Sequence, residues 1–351
     1  MTLAPIKGKN FEIGCDQAPF IIAEISGNHG GSLQQALTIV DAFVKAGASA
    51  VKIQTYTADT MTIDCQENAF FISDSESLWQ GESLYDLYDK AHTPWEWHKQ
   101  IFDRCAEKNI PCFSSPFDES AVDFLEELNV PLYKVASFEC TDIPLIKRIA
   151  QTKKPTIVST GMATLEEIEE TVTAFREAGG LELILLKCSS SYPADPCGTH
   201  LNTMRHLSEQ FGVHTGLSDH TLGIGVAVAS VALGARVIEK HVTLSRDDAA
   251  VDSAFSLEPF EFSQLVDECH KAWKACGSIH YGPNEEDKAS LAYRRSLYIC
   301  EDMKEGETLT SSNLRRIRPG LGLAPKYYES VLGKTVKRDV RKGTPLSWDL
   351  I

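Results

Sequence analysis

Eight short runs of β-forming residues, each followed by a longer segment with helical periodicity, dominate most of the sequence. The runs are nearly continuous in Val, Ile and Leu, which is typical of strands buried on both faces. Eight such strands alternating with helices predict a (β/α)8 TIM barrel with a parallel sheet. The predicted strands are FIIAEIS (20–26), AVKIQT (50–55), PCFSSP (111–116), LYKVAS (132–137), TIVSTG (156–161), LILLKCS (183–189), HTGLSDH (214–220) and RVIEKHVT (236–243).

A doubly wound open sheet is the alternative α/β fold. It usually has fewer strands and a glycine-rich phosphate loop after the first one. The segment GNHGGS (27–32) lies at that point but does not have the GxGxxG spacing. Helix starts fit the barrel, because three segments have the spacing of capping boxes, with Pro94 expected at a first helical position. These segments are SLQQ (32–35), TPWE (93–96) and TLEE (164–167).

One connection is much longer than the others. Residues 56–92, which follow the second predicted strand, are rich in aromatic and acidic side chains. Long loops after barrel strands lie at the catalytic mouth, so this insertion is a candidate lid or substrate contact. A surface loop without a catalytic role is the alternative.

The pattern changes after residues 1–280, the predicted barrel domain. Residues 281–292 are a polar linker, and residues 293–351 have the short β-rich runs and turn glycines of a small β domain. From Leu291 to Ile351 there are 12 Lys and Arg against 7 Asp and Glu, a surplus of +5. The remaining residues have 22 Lys and Arg against 42 Asp and Glu, a net charge of −20. A basic module beside an acidic body indicates contact with an anion or an acidic neighbour.

The C-terminal segment also contains a weak internal repeat. MKEGETLT (303–310) is similar to VRKGTPLS (340–347).

Composition excludes several classes of protein. A net charge of −15 argues against a nucleic-acid binder, which would have a basic surplus. The ten cysteines are scattered without CxxC pairs, so reduced thiols are expected. The N-terminus has no apolar signal core, and no apolar run is long enough to span a membrane. We therefore expect a cytoplasmic enzyme that does not associate with membranes.

Polar side chains collect at the ends of the predicted strands, where a barrel has its active site. Four strands carry a lysine, which is costly to bury without a negative partner. Surrounded by hydroxyls, four lysines indicate a site for a phosphorylated or carboxylated anion. A Schiff-base aldolase, in which one lysine attacks a carbonyl, is the rival interpretation. The lysines are Lys52, Lys134, Lys187 and Lys240, and the serines include Ser115, Ser137, Ser159, Ser190 and Ser218.

Two neighbouring strands end on a histidine, His220 and His241. A single histidine at a strand end is more often a hydrogen-bonded core residue, but two at one barrel mouth favour a metal site. Neutral imidazole is a common ligand of divalent metals, so we expect Mn²⁺ or Mg²⁺ here, with Asp219, Glu239 or Asp252 close by. A structural zinc site would want four close ligands.

Motifs at the strand ends occur in an order typical of one enzyme family. IIAEISGNHGGS, AVKIQTYTADT, VSTGMATLEEI, LLKCSSSYPA, GLSDHTLG and VIEKHVTL follow one another along the chain. In these motifs the chain resembles the sialic acid synthase family over nearly its whole length, and its C-terminal segment resembles the SAF, or antifreeze-like, module of those enzymes. TPWEWH, CFSSPFD, DSAFSLEP and the terminal RKGTPLSWDLI are most similar to the branch that makes pseudaminic acid.

The resemblance implies that phosphoenolpyruvate condenses with an open-chain amino sugar aldehyde, here 2,4-diacetamido-2,4,6-trideoxy-L-altrose. Carbon–oxygen bond cleavage then releases phosphate. It implies that a metal on His220 and His241 polarises the aldehyde, and that Glu24 manages protons, although Glu24 could instead only fix Lys52. The implied phosphoenolpyruvate ligands are Lys52, Ser115, Lys134, Ser137, Ser159, Ser190 and Ser218.

The resemblance also implies a sugar site made of Asn28, Gln54, Tyr192 and Asp252. In the family, the SAF module reaches over the barrel of the partner in a domain-swapped homodimer. Arg318 would then contact the sugar from the partner chain, and pairing of Arg318 with surface acids is the alternative.

Three other functions remain open at this point. The same condensation could use another amino sugar, to give legionaminic or N-acetylneuraminic acid. A Schiff-base aldolase is a second alternative, and a sugar-binding protein without catalysis is a third.

Overall fold

The structure is a computed structural model that describes residues 3–74, 79–248 and 250–351. The chain separates into two compact units, with the boundary between Gly277 and Ser278. None of the described helices is long and apolar enough to cross a membrane.

A short antiparallel pair precedes the barrel, formed by β1 (Ile6–Lys7) and β2 (Glu12–Ile13). Ile6 and Ile13 are buried in one apolar cluster with Ile22, Ile157 and Ile184 of the barrel strands. The pair therefore packs against the interior of the barrel. Strands of two residues are too short to show a period, and the sequence did not indicate them.

The first unit is a closed, all-parallel barrel of eight strands in the order β10-β3-β4-β5-β6-β7-β8-β9, which confirms the predicted fold. Each predicted run contains one strand. The strands are β3 (Phe20–Glu24), β4 (Ala50–Thr55), β5 (Cys112–Pro116), β6 (Tyr133–Val135), β7 (Thr156–Ser159), β8 (Leu183–Cys188), β9 (His214–Asp219) and β10 (Val237–His241).

Helices follow the strands, and all except the two that lie in the insertion at residues 56–92 cover the outside of the barrel with apolar faces. They are α1 (Leu33–Lys45), α2 (Ala58–Met61), α3 (Leu84–Ala91), α4 (Trp95–Glu107), α5 (Glu119–Glu127), α6 (Ile143–Gln151), α7 (Leu165–Glu177), α8 (Thr203–Phe211), α9 (Gly225–Ala232) and α10 (Pro259–Cys276).

Two of the three predicted helix starts are correct. Ser32 caps α1 and Thr164 caps α7 through hydrogen bonds to backbone N–H groups, and the latter forms a full capping box. The third was wrong, because α4 begins at Trp95 with Pro94 as its N-cap residue and has no side-chain cap. A proline fixes its own backbone well enough to precede a helix without a capping hydroxyl.

The second unit has a small β-rich core of its own. It is built on the antiparallel strands β11 (Ser296–Ile299) and β12 (Leu314–Ile317), and a short helix, α11 (Tyr328–Val331), follows. The two repeat segments meet in this core, where Met303 and Val340 exchange backbone hydrogen bonds of 2.8 and 2.9 Å. The internal repeat in the sequence thus corresponds to a pair of bridged segments.

Candidate active site

A cavity of about 520 Å³ opens at the carboxyl ends of the barrel strands. A smaller one of about 190 Å³, near the amino ends of β9 and β10, contains none of the predicted site residues. Most of the predicted residues line the large cavity, namely Lys52, Gln54, Lys134, Ser137, Ser159, Ser190, Tyr192, Ser218, His220, His241 and Asp252.

A buried polar cluster, which we call the polar floor, lies at the base of this cavity and consists of Glu24, Lys52, Ser115, Lys134 and Glu239. Lys52, Lys134 and Glu239 line the cavity, whereas Glu24 and Ser115 do not line it and contact Lys52. The Lys52 ammonium lies 2.7 Å from Glu24 Oε2, 3.2 Å from Ser115 Oγ and 3.8 Å from Glu239 Oε2. Lys134 Nζ lies 3.8 Å from the other oxygen of Glu239. Two lysines and two carboxylates therefore neutralise one another where water is excluded.

Burial and neighbouring charges set the protonation of the floor. Burial lowers the pKa of Lys52, but Glu239 and Glu24 outweigh it and the pKa ends above its ordinary value. For Lys134 burial dominates over Glu239 and the pKa is lowered. Burial also raises the pKa of Glu24, against the attraction of Lys52. The floor thus combines a firmly charged lysine with groups able to exchange protons.

The other two lysines predicted for the anion site, Lys187 and Lys240, do not line the cavity. Successive side chains of a strand point to opposite faces. Lys240 alternates with Glu239 and His241, and its ammonium binds the Asp219 carboxylate at 2.8 Å. Lys187 donates to the Cys188 carbonyl oxygen at 2.7 Å. The expectation of four converging lysines was therefore wrong, and two converge.

Hydroxyl groups surround the cavity above the lysines. The Ser137 and Ser190 hydroxyls lie 2.9 Å apart, and Ser218 donates to Glu239 Oε1 at 3.1 Å. The buried Ser159 hydroxyl has no hydrogen-bond partner among the described residues. A buried donor without a partner costs free energy, so this hydroxyl is available to a ligand oxygen.

Gly161 brings the backbone close to two of these serines. A Cβ atom at this position would lie 2.5 Å from Ser137 Cβ and 2.7 Å from Ser190 Oγ. Its φ of +45° also favours glycine. The spacing of the two hydroxyls thus depends on a residue without a side chain.

His220 and His241 lie side by side, with ring centroids 5.2 Å apart. His220 Nδ1 is 2.8 Å from the Ser189 carbonyl oxygen, which can only accept, so this nitrogen carries a proton and Nε2 is the nitrogen that could bind a metal. Burial lowers the pKa of His220, but the Cys188 thiol and the Ser189 carbonyl outweigh it, and the pKa ends above its ordinary value. His241 Nδ1 is buried and has no partner among the described residues. Burial, with repulsion from His220, holds the pKa of His241 well below its usual range.

The imidazole pair fits a divalent metal that keeps open coordination positions. The described residues contain no group of three His, Cys, Asp or Glu side chains placed to hold an ion, so a closed structural site is excluded for them. Two imidazoles are suitable ligands when both are neutral, and water or substrate oxygens would complete the shell. Asp219 is engaged with Lys240, away from the pair.

Aromatic rings enclose the imidazoles. The Tyr192 ring centroid lies 4.4 Å from that of His220, and the Phe255 centroid lies 5.1 Å from that of His241. These rings limit the access of water to the imidazole side of the cavity.

A second polar cluster extends from the floor toward the loop after β10. The Gln54 amide donates to Glu24 at 2.9 Å and to the Ser26 hydroxyl at 3.0 Å, and Ser26 donates to Asp252. Burial raises the pKa of Asp252, and the hydrogen bond from Ser26 only partly offsets this. Gln54 and Asp252 are thereby linked to Glu24.

One sugar ligand predicted within the barrel is not part of the cavity lining. Asn28 does not line the cavity, because its amide is engaged with the Val242 carbonyl, the Ser256 hydroxyl and the backbone N–H of Asp252. Asn28 therefore supports the loop that carries Asp252 and does not face the cavity. Arg318 is exposed in the second unit, after β12.

Two carboxylates of the cavity have a place that the sequence did not indicate. Glu239 was expected close to the metal, and it lies 3.8 Å from each lysine of the floor. Glu139 lines the cavity, burial raises its pKa to about 7, and its Oε2 has no hydrogen-bond partner among the described residues. Glu139 lies two residues after Ser137, which was a signal that could have identified it.

The insertion after β4 forms one side of the cavity. We call this side the insertion wall, and it consists of Tyr56, Met61, Ile72, Trp79, Leu84, Leu87, Tyr88 and Ala91. The insertion is thus a substrate-contact candidate, as expected. Residues 75–78, which belong to it, lie outside the described residues.

Comparison with known proteins agrees with this geometry. Residues 39–281 match the NeuB family and residues 294–351 match the SAF domain. The chain belongs to the NeuB family. It is 44% identical over 331 residues to a pseudaminic acid synthase of Campylobacter jejuni, and the aligned region covers 94% of this chain and 96% of that protein. A pseudaminic acid synthase of Helicobacter pylori is 40% identical, with 95% and 98% covered.

Relatives with other substrates are more distant. An N,N'-diacetyllegionaminic acid synthase of Legionella pneumophila is 33% identical, with 96% of each chain covered. The crystal structure of an N-acetylneuraminic acid synthetase from Leptospira borgpetersenii superposes with a TM-score of 0.74 at 31% identity, covering 84% of this chain and 97% of that one. The family and its two-domain organisation are therefore established.

Proposed function

We propose that this NeuB-family enzyme condenses phosphoenolpyruvate with 2,4-diacetamido-2,4,6-trideoxy-L-altrose, giving pseudaminic acid and phosphate. The observation that carries the proposal is one cavity in which two buried lysines, a group of serine hydroxyls and an imidazole pair converge. The identity of 44% to a pseudaminic acid synthase supports the choice of sugar.

The polar floor binds phosphoenolpyruvate in this proposal. Lys52 and Lys134 supply positive charge, and Ser115, Ser137, Ser159, Ser190 and Ser218 donate to phosphate and carboxylate oxygens. In the free enzyme, Glu24 and Glu239 balance the positive charge of the two lysines. A bound anionic ligand would contribute to this balance. The unpartnered hydroxyl of Ser159 supports this assignment, because a ligand oxygen would satisfy it.

His220 and His241 would hold a divalent ion, Mn²⁺ or Mg²⁺. When bound, such an ion supplies Lewis-acid polarisation of the aldehyde oxygen. Tyr192 and Phe255 exclude water around it, and the Ser189 carbonyl fixes the orientation of the His220 ring.

In the reaction, C3 of phosphoenolpyruvate forms a bond to the aldehyde carbon, and water adds at C2. The C2–O bond to phosphate then breaks, so that the phosphate leaves with the bridging oxygen. The water gives up a proton and the aldehyde oxygen gains one. Glu24 and Glu139 are the proton carriers that we propose, since burial raises the pKa of both toward neutrality.

On the sugar side, Gln54, Tyr192 and Asp252 are the proposed contacts within the barrel, and Asn28 acts through Asp252. We further propose a domain-swapped homodimer in which Arg318 of one chain contacts the sugar in the other. The +5 charge of the C-terminal segment and the −20 of the remainder support such a contact. Free thiols at all ten cysteines support a reducing compartment such as the cytoplasm.

The test is release of phosphate from phosphoenolpyruvate in the presence of single sugars. We expect release with the L-altrose derivative, and little with N-acetylmannosamine or the diacetamido sugar that gives legionaminic acid. Equal or greater release with one of the other sugars would move the assignment to the corresponding branch. No release with any sugar would overturn the proposed reaction.

The Schiff-base aldolase is separated by a trapping experiment. The lowered pKa of Lys134 is the feature that favours it, because a neutral amine is the nucleophile. Borohydride added during turnover should leave the protein mass unchanged. A covalent adduct on Lys134 would support the aldolase instead.

A further inference from the structure

The insertion wall carries a group of aliphatic side chains beside its aromatic ones, Tyr56, Trp79 and Tyr88. These aliphatic members offer no strong donor or acceptor, in contrast to the lysines, carboxylates and hydroxyls of the polar floor. They are Met61, Ile72, Leu84, Leu87 and Ala91. A ligand surface placed against this wall gains from being apolar and loses hydrogen bonds if it is polar.

Trp79 links the wall to the imidazole pair and to the Asp252 loop. Its ring centroid lies 6.3 Å from that of Tyr192, and the Tyr192 centroid lies 4.4 Å from that of His220. Trp79 also donates its indole N–H to the Val251 carbonyl at 3.2 Å, next to Asp252. Tyr192 is thus a ring shared by the wall and the imidazole pair.

The aliphatic residues are held in place by ordered backbone structure. Ile72 exchanges two backbone hydrogen bonds with the segment before α3, at 2.9 Å to Glu82 and 2.9 Å to Gly81. Leu84 and Leu87 belong to α3, which Ser83 caps. The wall is therefore a formed surface and not a loose set of side chains.

We propose that the insertion wall is a methyl subsite that receives the C6 end of the sugar, and that it selects 6-deoxy sugars over their 6-hydroxy analogues. This inference rests on the proposed function. The aldehyde carbon is C1 and belongs at the imidazole pair, so the opposite end of the open chain reaches the wall. A C6 methyl group would pack against the aliphatic side chains of the wall without losing a hydrogen bond. A C6 hydroxyl against the same side chains would be buried without a hydrogen-bond partner.

The experiment compares two sugars that differ only at C6, the 2,4-diacetamido-2,4,6-trideoxyhexose and its 6-hydroxy analogue, with phosphate release as the readout. A pocket that discriminates by one small group typically gives about 10-fold or more in kcat/KM. We expect the wild-type enzyme to prefer the 6-deoxy sugar by about that factor. Equal use of both sugars would overturn the subsite, and release with neither would instead overturn the proposed function.

Two variants locate the selection on the wall. Ile72→Thr and Leu84→Gln should each reduce the preference toward unity while the KM for phosphoenolpyruvate stays the same. Ile63→Asn is the matched control, since Ile63 belongs to the same insertion but is 60% exposed and does not line the cavity. A wild-type preference that all three variants retain would place the selection elsewhere. The wild-type ratio is informative even if a variant fails to fold.

Discussion

The polar floor and the insertion wall face the same cavity but are built differently. The floor is carried by strand ends of a closed barrel, where each side chain is fixed by a parallel register and buried ion pairs. The wall is carried by a long connection with short helices. Strand ends can hold charges at defined distances, which the condensation needs, whereas a connection can change its apolar surface without disturbing the barrel. We infer that the floor determines the reaction and the wall determines the sugar.

The largest expected effect comes from removing a charge of the floor. Lys52→Met should lower kcat/KM by about 10³-fold, because a preorganised positive group of the anion site is lost. It also leaves Glu24 and Glu239 less compensated, at a cost of about 3–5 kcal/mol in the free energy of unfolding. Steady-state kinetics and urea unfolding measure the two effects.

Lys240→Met is the matched control for this variant. Lys240 is equally buried in an ion pair, with Asp219, but on the outer face of the barrel. The Lys240→Met variant should lose stability to a similar extent, while its folded, active fraction keeps the wild-type kcat/KM. Equal loss of activity in both variants would show that the buried ion pairs act only through stability.

Metal removal comes next in size. Dialysis against EDTA should lower activity by about 10²-fold or more, and Mn²⁺ or Mg²⁺ should restore it. His241→Ala should weaken Mn²⁺ binding in an EPR titration, whereas His206→Ala, at an exposed histidine of α8, should not. Full activity in verified metal-free enzyme would exclude the metal role of the imidazole pair.

A smaller effect tests the serine group. Gly161→Ala should raise the KM for phosphoenolpyruvate by about 10-fold, because the new Cβ displaces the Ser137 and Ser190 hydroxyls. Gly179→Ala is the control, with a φ of +94° and open space around its Cβ position. Gly179→Ala also places an alanine at a positive φ, but its Cβ displaces no serine hydroxyl. An unchanged KM in Gly161→Ala would mean that these hydroxyls do not bind phosphoenolpyruvate.

A further effect concerns stability below neutral pH and leaves the chemistry of the site unchanged. Burial lowers the pKa of His98 to about 4, so the unfolded chain binds more protons than the folded one between about pH 6.5 and 4. Stability should therefore fall as the pH falls through this window, by about 2 kcal/mol for this residue between pH 7 and 5. Urea unfolding of His98→Gln should show a weaker pH dependence, and the exposed His280→Gln should match wild type. Identical curves for all three proteins would contradict this assignment.

Most of the barrel could be predicted because its signal is local. Eight apolar runs and the polar residues at their ends identify the strands, and the floor residues Lys52 and Lys134 were found in this way. Lys187 and Lys240 were misplaced because the sequence of a strand end does not show whether a lysine points into the barrel or away from it. Only the register relative to neighbours such as Glu239 and His241 distinguishes the faces.

The insertion and the support of the sugar site could not be predicted in the same detail. Ile72 and Leu84 have no periodic pattern that points to a cavity, and their position depends on packing between distant parts of the chain. The family resemblance implied that Asn28 contacts the sugar, yet its amide holds the Asp252 loop. Contacts between residues more than 200 positions apart leave no mark on a local sequence pattern.

The central claim is that this cavity joins phosphoenolpyruvate to an amino sugar with cleavage of the C2–O bond. It is tested most directly with phosphoenolpyruvate that carries ¹⁸O in the bridging position, incubated with 2,4-diacetamido-2,4,6-trideoxy-L-altrose. We predict sugar-dependent release of phosphate that contains the label, seen as an isotope shift in the ³¹P spectrum. Unlabelled phosphate with the label retained in the sugar acid, or no sugar-dependent release, would contradict the claim.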